Sequence, residues 1–261
     1  MKKLAIAATT IVAALGITTS AMADTYSNAG SKITPVKSGT KKAPKPANGV
    51  TIFNITAASP TVRPLPIQTY TIGLGEGVVE NSALFKSCSD AVITGPGGTA
   101  ACPAESKLGG GVAYNRFGPT ADLSSISECD LKLTLFNGGT HKVNLVVQAD
   151  PSLTCAIQPP PTVVPGVFKK IGGITNLIIV VPSTLVHPLT GLDNALYKTT
   201  TTLGKTKSAK VAGKTRKAGY LETISCPKSK KRKLVTKFQG EKTASTPNPP
   251  TFSTSTTSKC S

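Results

Sequence analysis

Leu131-Lys132-Leu133-Thr134-Leu135-Phe136-Asn137-Gly138-Gly139-Thr140-His141-Lys142-Val143-Asn144-Leu145-Val146-Val147 is the stretch that decides the fold class. Side chains on an extended strand alternate between two faces. Leu131, Leu133 and Leu135 therefore share one face, and Val143, Leu145 and Val147 share one face of the returning run. Both runs read as half-buried strands. Asn137-Gly138-Gly139-Thr140 lies between them, and an Asn-Gly step favours a hairpin turn. Cys129 and Cys155 flank the pair, where a bridge would tie down its ends.

The same chemistry recurs outward from this hairpin. Strand candidates fall at residues 50–56, 68–72, 163–168, 174–181, 196–203, 219–225 and 234–238. In the last, Val235 stands outside the face made by Leu234, Thr236 and Phe238, which suggests an edge strand or a different register. Gly and Pro supply 44 of 261 residues and tryptophan is absent. Gly and Pro disfavour helix interiors, whereas the frequent Thr and Val suit strands. The expected fold is mostly β, an antiparallel β-sandwich in one large or two small domains, stapled by disulfides. Pro159-Pro160-Pro161 favours an extended path and places a boundary near residue 160. A first β domain then covers 49–158, and a second, or a continuation, covers 162–242.

Residues 1–23 read as a cleavable signal peptide. Met1-Lys2-Lys3 is positive, residues 4–17 are mainly apolar, and Ala21 and Ala23 suit a cut before Asp24. The apolar run is shorter than the ~20 residues of a membrane-spanning helix. The expected product is secreted, extracellular or attached to the cell surface. In that oxidising setting Cys88, Cys102, Cys129, Cys155, Cys226 and Cys260 suggest three disulfides. Six cysteines allow 15 pairings. Simple locality favours Cys88 with Cys102, Cys129 with Cys155, and Cys226 with Cys260. There is no Cys-x-x-Cys spacing, and His141 and His187 are isolated, so no metal site is expected.

The formal charge is +18, and losing Lys2 and Lys3 with the signal leaves +16. Residues 198–242 hold fourteen Lys and Arg against Glu222 and Glu241, while 48–197 are nearly neutral. The densest run, Lys228, Lys230, Lys231, Arg232 and Lys233, is the candidate polyanion contact. Its expected partner is an anionic cell-wall polymer, a polysaccharide or an acidic lipid surface. Specific nucleic-acid recognition lacks the aromatic interleaving that base stacking needs.

Four segments read as poor in structure. Residues 24–48 form a basic, Pro-rich lead with Lys37, Lys41, Lys42 and Lys45, a linker or a patch touching wall or membrane. Residues 88–111 are dense in Gly and Pro, a braced connection or a displayed loop. Residues 204–217 and 228–233 are positive connections. The Ser/Thr/Pro-rich tail, 243–261, packs poorly unless Cys260 pins it to Cys226 or another cysteine.

Catalytic chemistry finds no footing. Glu128 and Asp130 flank Cys129 and point to one face, the solvated one. Neither histidine accompanies a Gly-x-Ser-x-Gly elbow, although Ser183 lies near His187. Gly73-Leu74-Gly75-Glu76-Gly77 lacks a nucleotide-binding pattern, and Glu76 would repel phosphate. No catalytic residue and no cofactor is assigned.

Two runs carry a resemblance. They are Cys102-Pro103-Ala104-Glu105-Ser106-Lys107-Leu108-Gly109-Gly110-Gly111 and Gly219-Tyr220-Leu221-Glu222-Thr223-Ile224-Ser225-Cys226-Pro227, followed by Phe238 and Gly240. In these the chain resembles an uncharacterised group of secreted actinobacterial β-rich proteins. The resemblance spans roughly residues 85–240. It implies a secreted β architecture and brings no catalytic residues. The expected function is structural or adhesive and non-enzymatic, with contact to anionic envelope polymers. The alternative is a carbohydrate-binding module or accessory protein of a secreted enzyme, with Tyr114 and Tyr220 as the rings for sugar stacking.

Overall fold

The computed structural model describes residues 24–155, 159–211, 213–243 and 247–261. The signal-peptide reading of residues 1–23 lies outside the described residues. The strands are β1 (Thr25–Ser27), β2 (Lys32–Thr34), β3 (Lys45–Thr56), β4 (Ile67–Gly73), β5 (Val78–Glu80), β6 (Lys107–Pro119), β7 (Ser127–Gly139) and β8 (Lys142–Gln148). They continue as β9 (Thr162–Ile171), β10 (Ile174–Val180), β11 (Leu192–Leu203), β12 (Thr206–Val211), β13 (Lys214–Gly219), β14 (Leu221–Thr223), β15 (Lys231–Gly240) and β16 (Thr251–Lys259). Two short helices, α1 (Asp90–Thr94) and α2 (Ser183–Val186), interrupt them.

The quoted hairpin is β7–β8, with Leu133 opposite Val147 and Leu135 opposite Leu145. The leucine faces are inward as expected. The turn, however, lies two residues beyond the Asn-Gly step. Gly139 pairs with Lys142, and His141 takes a left-handed φ of 59°. Asn137 stays in the strand because its buried amide donates to the carbonyls of Ser82, Phe85 and Lys86 at 3.0–3.1 Å.

Among the described residues every ladder is antiparallel, and fourteen strands form one sheet. Its central order is β16-β15-β4-β10-β9-β8-β7-β6-β11-β3. The sheet crosses residue 160 without interruption. β8 pairs with β9, and β4 from the first half lies between β10 and β15 from the second. The proline run joins two strands of a shared sheet and does not separate two cores. The three disulfides pair as locality favours: Cys88–Cys102, Cys129–Cys155 and Cys226–Cys260.

The sheet curls until its ends meet, giving the sandwich-like enclosure. Gly109-Gly110-Gly111, expected in a loop, sit inside β6. A Cβ at Gly109 or Gly111 would come within 2.0 Å of the carbonyl oxygen of Thr202 or Thr200 on β11. Glycine there lets β6 press against its neighbours and bend sharply. At the other end the lead becomes β1 and β2 on the free side of β3. The lead buries Ile33 and Asn28, which offsets its ordering entropy. Asn28 donates to the Leu234 carbonyl at 3.2 Å, and the Ser258 hydroxyl accepts from the Ile33 amide at 3.0 Å. Aromatic rings fill this seam: Tyr26 stacks on Phe252 at 4.4 Å and lies 5.0 Å from Phe238. Such ring pairs add stability beyond their buried area.

Inward side chains from β3, β4 and β6 to β11 meet across the enclosure. They leave a cavity of about 120 Å³. Outside the hairpin, the loop containing Cys88–Cys102 lies on the reverse face of β7–β9, where Cys88 and Ile93 pack with Phe136 and Val146. The loop is a brace that buries the second face of those strands.

Candidate functional site

Strand β15 sorts its residues by alternation. Arg232, Leu234, Thr236 and Phe238 point inward, while Lys231, Lys233 and Lys237 are exposed and Val235 is half-buried. It is not an edge strand, since β16 and β4 flank it. Residues 251–259 of the tail form β16, which pairs along β15 and is pinned by Cys226–Cys260. That pairing sets Lys231 directly opposite Lys259. Like charges directly opposite on a ladder repel.

Arg232 is the one member of the predicted basic run that is fully buried, so it leaves the surface patch. Its Nε donates to the Glu76 carbonyl at 3.0 Å. Its Nη2 donates to Ser38 Oγ and to the Ser225 carbonyl, each at 2.6 Å. Burial lowers its pKa, and the nearby Glu76 charge opposes that shift. Arg232 acts as a bolt between three loops. Lys228, Lys230, Lys231 and Lys233 remain exposed.

The bolt and the disulfide bring two basic clusters together from opposite ends of the chain. The Ser261 amide donates to Val36 O at 3.0 Å, the Ser38 amide donates to Ser261 O at 2.7 Å, and the Cys260 amide donates to Lys230 O at 3.0 Å. The turn closed by Thr40 and Ala43, which carries Lys41 and Lys42, follows directly, and β3 then pairs Lys45 with Thr223. One end of the molecule thus carries Lys37, Lys41, Lys42, Lys45, Lys228, Lys230, Lys231 and Lys259. None of them has an ion-pair partner among the described residues. Sequence reasoning missed Lys259. Its position beside Cys260, with Cys226 preceding Lys228, was the available signal.

The other basic segment is built differently. Residues 204–217, expected as a connection, form most of the β12–β13 hairpin, whose turn includes Gly213 at a φ of 80°. Arg216 is spent on Glu222, with Nη2 to Oε2 at 3.0 Å. Burial pushes the Glu222 carboxyl up, but the Arg216 contact and the Gly219 amide hold it below its ordinary value.

Other candidate groups are engaged as well. His187 Nδ1 lies 2.9 Å from Asp193 Oδ1, and Nε2 lies 2.5 Å from Glu241 Oε2. Both ring nitrogens face carboxylates, which leaves no ring nitrogen to take a proton from Ser183. The Glu241 contact, opposed by partial burial and aided by Asp193, raises the His187 pKa. Buried Arg63 fixes Asp193 from behind at 2.9 Å. Glu128 is exposed and Asp130 half-buried on the outer face, with burial and the Glu128 charge raising Asp130. Tyr220 is fully buried in the core and offers no ring to a sugar. Tyr114 is half-buried beside Tyr197, with Lys198 Nζ 4.8 Å over its ring.

No family model, no curated protein and no solved structure matches the chain.

Proposed function

We propose that the mature chain is a secreted or cell-surface structural protein, without enzymatic activity, that attaches to an anionic cell-wall polymer through its lysine-rich end. The observation that carries this reading is the Lys231–Lys259 pair on adjacent strands. A repulsive pair with no acidic neutralisation is costly by itself. A polyanion lying across both strands removes that cost and adds contacts with Lys37, Lys41, Lys42 and Lys230. The enclosing fold supports the reading by holding these loops rigid, so little ordering entropy is lost on binding. The carbohydrate-module alternative loses its footing, since Tyr220 is in the core and a lysine covers Tyr114.

The test is a pull-down of the mature, oxidised protein on purified cell wall at low and high salt. Binding should be strong at low salt and lost at high salt, because exposed charges are screened over about 8 Å at physiological ionic strength. The quadruple variant Lys37→Gln, Lys230→Gln, Lys231→Gln, Lys259→Gln should bind at least tenfold more weakly. Salt-insensitive binding, no binding, or equal binding by the variant overturns the proposal. So does binding to acidic lipid vesicles but not to wall.

A further inference from the structure

We infer that the cavity enclosed by the curled sheet is a binding site for a small uncharged apolar group, a single hydrocarbon ring or a short aliphatic chain. The site is independent of the lysine-rich end.

Register builds the hollow. Inward positions on three adjacent strands form two rows: Thr51–Thr201–Gly111 and Phe53–Thr199–Ala113. Five of these six residues are small. Across the enclosure stand Leu131, Leu133, Leu145, Val164 and Ile179, all of which line the cavity. The space therefore follows from neighbouring small side chains on β3, β6 and β11 and is not a single packing fault.

The lining fixes the chemical class. It is dominated by aliphatic side chains, and no Asp, Glu, Lys, Arg or His among the described residues lines it. Four of its polar side chains, Asn115, Asn194, Thr199 and Thr201, make hydrogen bonds within the wall. Asn115 Nδ2 donates to the carbonyls of Ala113 and Cys129 at 3.1 and 3.2 Å. Thr199 Oγ1 donates to the Val112 carbonyl at 3.0 Å, and Asn194 Nδ2 donates to the Leu185 carbonyl at 2.9 Å. A charged ligand would lose its hydration without a partner. The volume of about 120 Å³ is close to that of an apolar cavity of roughly 150 Å³ that stays dry and admits benzene. Leu185 and Val186 of α2 close one side of the site. Asn194 and the His187–Asp193 contact hold that short helix in place.

The experiment uses the mature, disulfide-bonded protein with methyl-labelled leucine and valine. Benzene, toluene and n-pentanol are titrated as probes, with benzoate as the charged control. The expected result is saturable shifts confined to cavity methyls such as those of Leu131, Leu133, Val147 and Val164. The three neutral probes should also raise the melting temperature, and benzoate should do neither. Ala113→Leu, which projects into the hollow, should weaken benzene binding at least tenfold while cell-wall binding is unchanged. Leu133→Ala should enlarge the site and shift preference from benzene toward naphthalene. If no neutral probe moves the wild-type cavity methyls near its aqueous saturation, the inference is wrong. It is equally wrong if benzoate binds as well as benzene, or if folded Ala113→Leu binds benzene as the wild type does.

Discussion

Arg232 Nη2 and Ser38 Oγ lie 2.6 Å apart although 194 residues separate them in the chain. This contact joins the N-terminal lead to β15 beneath the lysine-rich end. The same guanidinium ties down Ser225 and Glu76 through their carbonyls.

Replacing Arg232 should therefore act on folding before it acts on binding. Arg232→Lys keeps the charge but cannot span three loops, because an ammonium is a point donor on a flexible stem. It leaves buried acceptors unpaired, at a cost of about 2–4 kcal/mol. Urea unfolding should show that loss, whereas exposed Lys233→Gln should stay within about 0.5 kcal/mol of wild type. Equal stability of the two variants would contradict the bolt.

The disulfides should separate stability from attachment. Cys226–Cys260 closes a separation of 34 residues, and chain entropy assigns it about 4 kcal/mol. Cys226→Ser with Cys260→Ser should lose about that much and also lose cell-wall binding, since β16 carries Lys259. Cys88→Ser with Cys102→Ser should lose about 3 kcal/mol and keep binding in the folded fraction. Parallel unfolding and pull-down measurements check both.

The His187 cluster predicts a pH dependence with a definite sign. Its pKa is raised in the fold, first by Glu241. A raised histidine pKa stabilises fully below the unfolded value of about 6.5. That contribution fades as pH rises through the folded value. The melting temperature of wild type should exceed that of Glu241→Gln at mildly acid pH, and the gap should narrow above neutrality. The effect is modest, because the His187 side chain is 38% exposed. A gap that widens with pH would refute the assignment.

Gly111→Ala should be among the most damaging single changes in the chain. Its Cβ would sit 1.9 Å from the Thr200 carbonyl oxygen, and backbone must move to relieve that contact. A loss of more than about 2 kcal/mol is expected, read as reduced yield of folded protein and a lower urea midpoint. Gly172→Ala has open space around its Cβ, and its cost should come only from its φ of 57°, about 1 kcal/mol.

Apart from Lys259, the lysines at the site were visible in sequence as two separate runs, and the cysteine pattern hinted at a staple between the second run and the tail. That they share one end of the molecule was not visible. Neither was the inward turn of Arg232 within a run of lysines. Arg232 falls in the alternating set with Leu234, Thr236 and Phe238, but charge alone argued for solvent. Tyr220 was misplaced as a surface ring for a related reason, since its face depended on strands distant in sequence.

The sequence by itself determined that this protein is antiparallel β, because period-two alternation, turn glycines and β-branched residues are local properties of backbone sterics. It also pointed to the disulfide pairs, because near cysteines meet most readily. Only the tertiary structure decided that parts of the lead and of the Ser/Thr tail, and the basic hairpin, form strands. It alone closed the sheet around a cavity and set Lys231 against Lys259. Alternation tells a residue which face it occupies. Which strand lies beside it depends on the whole sheet finding partners for its backbone groups and burying its inner face together.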